Sequence, residues 1–286
     1  MNQLGLNSLL ADSCEQNLNP VSRNVPKTIF PGANGKPERG ALMLHAEMLD
    51  VLMDKMDSAS SSKEVWEILY SYVQIFNIDA LTYYHKPPAG SLDYKDDYFI
   101  AHGFNEQNVT QYKRRTARLE NHLTHRSMLI SKPTYWDELL TMKIAQNPEE
   151  GEIIKRFYDT DNSNGIALPT YGPNGRNGCI VLRFADKSLS LSRKNIRAVQ
   201  WAAQTAHMTF CNLRAKSQSP SVTLTSRERE VLTWVARGKS NSVIADIVGI
   251  SQHTVTGYLR RIYLKTGTSD RTTATILALG ESLIDL

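Results

Sequence analysis

The sequence predicts an α+β protein, in which helices pack on the faces of an antiparallel sheet and an all-α unit of four short helices follows. Three observations predict it. Over residues 41–216, β-branched and aromatic runs alternate with segments of helical periodicity. The stretch Gly172 to Gly178 separates two apolar runs in the manner of a β-hairpin turn. Beyond a short polar linker, only helical spacing remains.

The leader, residues 1–40, is rich in Asn, Pro, Gly and Ser and has no sustained periodicity, so it is expected to be mostly disordered, with a regulatory arm as the alternative. Leu42, Leu44, Met48, Leu49 and Leu52 then recur at helical spacing. A second helix from Ser62 carries Val65, Trp66, Leu69, Val73 and Phe76 on one stripe. Ile78 to Tyr84 reads as a strand, Lys86 to Tyr94 as a loop and Tyr98 to His102 as a second strand. Asn105 to Leu129 is helical in character, and Pro133 stops it. Gly165–Thr170 and Cys179–Phe184 form the hairpin strands. Ser192 to Arg214 makes a long helix with Ile196, Val199, Ala203, Ala206, Phe210 and Leu213 inward. Residues 41–216 therefore form a first domain, 217–222 a linker and 223–286 a second domain.

Composition sets the broad class. The 286 residues hold 41% hydrophobic and 22% charged side chains, as in ordinary globular proteins, and a net charge of +4 permits a polyanionic partner. Cys14, Cys179 and Cys211 are odd in number and far apart, which suits free thiols in a reducing compartment. No His/Cys spacing suggests a metal, and no membrane span or secretory pattern is visible, so a cytoplasmic protein is expected. Phosphate-cradling glycine loops, nucleophile elbows and metal motifs are absent, which argues against an enzyme.

The second domain carries the strongest signal. Thr225 or Ser226 can cap a helix with Glu228 and Glu230 in its first turns, and Gly238 ends it. Asn241 to Val248 forms the next helix. Gly249-Ile-Ser251 is a three-residue turn in which Ser251 caps the helix Gln252–Lys265, and a fourth helix starts near Arg271. Two short helices joined by a glycine-containing turn make a helix-turn-helix. From Arg237 to Lys265 five cations face the single anion Asp246. Gln252, His253, Thr254, Thr256, Tyr258 and Arg261 can reach base edges and phosphates, and Lys239, Ser240 and Asn241 place donors at a helix N-terminus. A helical bundle with a solvated basic face is the alternative.

Leu224-Thr-Ser-Arg-Glu-Arg-Glu-Val-Leu232, Gly238-Lys-Ser-Asn241, Gly249-Ile-Ser251 and Leu259-Arg-Arg-Ile-Tyr263 closely resemble the LuxR-type DNA-binding domain. The resemblance implies a recognition helix from Gln252 to Lys265, with Lys265 among the DNA contacts, and a last helix that serves dimerisation. Thr256, where the family usually has Lys, and Gly257 depart from the pattern.

The first domain's order of elements resembles the autoinducer-binding domain of quorum-sensing LuxR proteins, an α-β-α sandwich that holds acyl-homoserine lactones. By that resemblance Tyr112, Asn121 and Trp136 bind the ligand, and Gly165 matches a family glycine at the start of a strand. Asn121-His122 replaces the family's Asp-Pro, and Asn108 or Val109 stands where the lactone-binding Trp would fall. Asn121 accepts a hydrogen bond without the charge that doubles its strength. Tyr112 and Trp136 as core aromatics, His122 and His125 as surface or core residues, and Lys113-Arg-Arg115 with Arg118 as a solvated face are the plainer readings.

The expectation is thus a dimeric LuxR-type transcription regulator that binds double-stranded DNA at an inverted repeat, its sensor domain responding to an autoinducer. The alternatives are an orphan regulator that is ligand-independent or senses another small molecule, and an inhibitory heterodimer partner of a related regulator.

Overall fold

The computed structural model describes residues 41–85, 87–91, 93–94, 98–104, 106, 109–110, 131–141, 164–186, 188–217 and 222–286. The leader, Tyr112, Asn121, His122, His125 and the 113–118 basic run lie outside them.

Helix α1 (Ala41–Ser58) and helix α2 (Ser62–Val73) open the first domain. Ser61 caps α2 by accepting the Glu64 amide, which satisfies one of the orphan donors at that end. A 3₁₀ turn follows, and Asn77 in the left-handed region (φ 57°) turns the chain into strand β1 (Ile78–His85). Strand β2 (Tyr98–His102), strand β3 (Thr134–Tyr135) and the short helix α3 (Trp136–Thr141) come next. Strands β4 (Gly165–Thr170) and β5 (Gly178–Phe184) form the expected hairpin, and the long helix α4 (Arg193–Ser217) ends the domain. The five strands pair antiparallel in the order β2-β1-β5-β4-β3. β3 and α3 fall in a stretch that Pro133 had marked only as a stop; a two-residue strand is too short to show a period of two.

Strand alternation sorts the sheet into two faces. Leu81, Tyr83, Ile166, Leu168, Ile180, Leu182 and Phe184 join Leu52, Met56, Trp66, Leu69, Val199, Ala203 and Phe210 of α1, α2 and α4 in the main core. Trp66 stacks on Tyr83 at its centre, with ring centroids 3.9 Å apart. On the other face Ala80, Tyr84, Ala167 and Cys179 are buried as well, outside that core. Three of these four side chains are small.

The second domain consists of α5 (Ser226–Ala236), α6 (Asn241–Val248), α7 (Gln252–Thr266) and α8 (Arg271–Gly280). Its core is separate: Val231, Leu232, Val235, Ile244, Val255, Leu259, Ile262, Ala274 and Ala278. Val243 and Ile247, apolar in the sequence, are exposed on α6.

The domains meet. Gly90 (φ 89°), in the loop after β1, abuts the Ile276 backbone carbonyl, and Gly280 abuts the Ser91 amide; a Cβ at either would collide with backbone. Beside them the Arg176 guanidinium, 15% exposed, lies 3.1 Å from Asp93 and 3.6 Å from Glu281.

Candidate nucleic-acid interface and ligand site

The second domain is built to hold one helix rigidly. Thr225 and Glu228 form a complete capping box at the start of α5: the threonine hydroxyl accepts the Glu228 amide and the glutamate accepts the Thr225 amide. Ser240 caps α6 and Ser251 caps α7, each accepting the amide three residues on. Gly249 closes α6 in the left-handed region (φ 71°), which the tight turn into α7 requires. Val255, Leu259 and Ile262 bury one face of α7 and so fix which face it shows to solvent.

That outward face is polar apart from Leu264 near its end, which is exposed. Gln252, His253, Thr254, Thr256 and Arg261 are exposed, as are Lys239 and Ser240, while Asn241 and Tyr258 are partly buried. Asn241 Nδ2 donates to the Thr256 hydroxyl at 3.3 Å, joining the start of α6 to the middle of α7. The Arg261 guanidinium lies over the Tyr258 ring, 4.5 Å from its centroid. Among the ten sequence-chosen polar residues the structure thus pairs Asn241 with Thr256 and Arg261 with Tyr258.

Lys265 behaves differently. Its Nζ lies 2.6 Å from Glu228 Oε2, and that carboxylate is almost fully buried. Burial pushes the Glu228 pKa up, but the Lys265 ammonium and the hydrogen bonds of Thr225 outweigh it, so the group sits below its ordinary value. Lys265 thus ties α7 to the capping box of α5. The signal was available in the sequence only as a Glu and a Lys 37 positions apart.

Of the three residues chosen for the ligand, the described part of the chain contains Trp136. It is buried at the start of α3, and its indole lies directly against Gly165 at the start of β4, where a Cβ would meet the ring at 2.5–2.6 Å. The two anchors read separately in the sequence are one contact.

Sequence reading missed a buried polar cluster between β1 and α4. The Tyr83 hydroxyl donates to His207 Nδ1 at 2.8 Å, and His207 Nε2 donates to the Arg176 carbonyl at 2.8 Å. His85 Nδ1 donates to the Asn177 carbonyl at 3.1 Å, and Cys211 Sγ lies 3.7 Å from His207 Nε2. Burial lowers both imidazoles to about 4, His207 adding to the effect on His85, and raises the Cys211 thiol to about 11.

Two family profiles match the chain. The one described as autoinducer binding domain matches residues 61–210, more than half the chain, and the one described as bacterial regulatory proteins, luxR family, matches residues 222–278. The quorum sensing-dependent transcriptional regulator VjbR of Brucella ovis is 34% identical over 125 residues, 42% of this chain and 48% of that protein. The transcriptional activator protein AhyR of Aeromonas hydrophila is 29% identical over 145 residues, 49% of this chain and 55% of that protein. The chain thus spans about half the length of the curated relatives it matches. Among solved structures, SdiA of Escherichia coli superposes with a TM-score of 0.66 over 84% of this chain and 99% of that one, at 18% identity, a likeness of fold.

Proposed function

The chain belongs to the LuxR family of bacterial regulatory proteins, and from that premise we propose that it is a transcription regulator whose helix α7 reads double-stranded DNA. One observation carries the reading: a capped helix presents Gln252, His253, Thr254, Thr256 and Arg261 to solvent beside the exposed Lys239 and Ser240. Amide, hydroxyl and guanidinium groups on one helix face suit base edges in a major groove. The lysine and the capped N-terminus of α6 suit the flanking phosphates.

Two copies would read the two halves of an inverted repeat, since a two-fold protein matches a two-fold site. Exposed Leu279 on α8 supports a dimer contact through that helix. The gel-shift test uses promoter DNA at several salt concentrations. Selective binding of an inverted repeat is expected, and equal binding of scrambled duplex would overturn the reading.

The first domain is the sensor. Small side chains on the buried second face of its sheet, with Trp136 against Gly165, suit a pocket for an apolar acyl chain, and an acyl-homoserine lactone held by Tyr112, Asn121 and Trp136 is the ligand proposed. At 100 times its Kd a ligand of the folded state adds about 2.7 kcal/mol, or roughly 5–10 °C in a melt. No shift with any lactone would point to the ligand-independent regulator instead.

A further inference from the structure

His207 and Cys211 stand one helical turn apart on α4 and so share a face. His85, the last residue of β1, meets them from the sheet. One donor atom from each of the three lies within 4.8 Å of the others, and all three residues are buried. His207 Nε2 and Cys211 Sγ are 3.7 Å apart, close to the roughly 3.8 Å between a nitrogen and a sulfur ligand in a trigonal site with bonds of about 2.05 and 2.3 Å. We propose that His85, His207 and Cys211 bind one soft transition-metal ion, monovalent copper in preference to zinc.

The surroundings support the ligand set. Metal-bound histidines commonly donate their second ring N–H to a carbonyl, carboxylate or hydroxyl that fixes the tautomer. His85 does so already: its Nδ1 donates to the Asn177 carbonyl, which leaves the lone pair on Nε2. For His207 the Tyr83 hydroxyl fills that role. When Nε2 turns to the metal, its proton passes to Nδ1, and Tyr83 changes from donor to acceptor, which a hydroxyl can do. The Arg176 carbonyl loses its donor in the exchange, and the Cys211 thiol releases one proton as it ligates.

The site is bounded by a residue without a side chain. A Cβ on Gly172, in the β4–β5 loop, would collide with the Arg176 carbonyl oxygen and lie 2.8 Å from His207 Nε2 and 3.1 Å from Cys211 Sγ. Any larger residue would fill the position above the two ligand atoms.

Charge decides between metals. A cuprous ion and one thiolate form a neutral pair, which a buried site tolerates. Zinc would leave a net positive charge there and requires a fourth ligand. Thiolate also prefers the softer ion.

The test uses full-length protein, reduced and anaerobic, in a Cys14→Ser background, titrated with cuprous ion against a chromophoric cuprous chelator. A parallel arm uses zinc with its own indicator. One copper per chain is expected, held at least 100-fold more tightly than by Cys211→Ser or His85→Gln, whereas Cys179→Ser binds like its parent. X-ray absorption of the copper-loaded parent, which needs no variant to fold, should show one sulfur at about 2.3 Å and two nitrogens at about 2.0 Å. Failure to compete with the chelator, undiminished binding by Cys211→Ser, or a copper shell without sulfur would each overturn the site. Tight zinc with no copper would overturn the choice of metal.

Discussion

Arg176, on the hairpin loop of the first domain, forms an ion pair with Glu281, the residue that closes the last helix of the second, at 3.6 Å and with both side chains no more than 15% exposed. The same guanidinium holds Asp93 at 3.1 Å. Two carboxylates from different domains thus share one cation.

Replacing Arg176 by Met removes the cation that both carboxylates share. Breaking a buried pair from one side costs about 3–5 kcal/mol, and the partial exposure here brings the expected loss to about 2–3 kcal/mol. A double-mutant cycle of Arg176→Met with Glu281→Gln, read by denaturant unfolding, should give a coupling of at least ~0.5 kcal/mol. Additive effects would show that the contact does not join the domains in solution.

Gly280→Ala would gain roughly 1 kcal/mol of helix propensity in an isolated helix. Here the new methyl meets the Ser91 amide and the backbone of Ala89 and Gly90. The full-length variant should therefore melt lower than its parent and show a larger radius of gyration by solution scattering. An unchanged radius with a higher melting temperature would contradict the contact.

Lys265→Ala and Lys239→Ala should separate a structural cation from a DNA contact. Loss of Lys265 leaves the Glu228 carboxylate buried without its charged partner, so stability should fall by about 1–3 kcal/mol while the salt dependence of DNA binding keeps its slope. Lys239 is exposed, and its replacement should leave stability unchanged but reduce the slope by about 0.9 if it meets one phosphate.

Gly257 lies on the open side of α7, and a Cβ there meets nothing within 4 Å. Gly257→Ala should stabilise the protein by up to ~1 kcal/mol. If DNA backbone approaches that face closely, affinity for the operator should drop in the same variant, so melts and gel shifts together locate the groove wall.

His102 is buried against Tyr70, their rings 5.3 Å apart, and burial, with a smaller push from Lys63, lowers its pKa from 6.5 to about 4. Between those values the unfolded chain takes up a proton that the folded chain refuses. Its contribution is therefore fully favourable above pH 6.5 and is lost as the pH falls towards 4, by at most ~1.4 kcal/mol per pH unit. His102→Phe should flatten the dependence of unfolding free energy on pH across that window by one proton; an unchanged slope would assign the effect elsewhere.

The second domain was legible almost to the residue, because its helices are set by local chemistry. Thr225, Ser240, Ser251 and Gly249 cap and turn where their types dictate. The strands β1, β2, β4 and β5 were likewise readable from β-branched runs and the hairpin turn. What stayed hidden depends on partners distant in the chain. Glu228 and Lys265, or His85 and Cys211, carry no mark of each other in sequence, although His207 and Cys211 stand at helical spacing. Val243 and Ile247 look like core by type, yet the packing of α6 leaves them outside.

The close approach of Gly90 to Ile276 and of Gly280 to Ser91 bears on how such a chain can be re-engineered. A chain with two separate cores invites exchange of one half for another at the stretch between them. In this protein a graft cut between residues 217 and 222 would bring an unmatched surface to the seam. A working chimera would have to carry Gly90, Asp93 and Arg176 on one side and Gly280 with Glu281 on the other, as a single inherited joint.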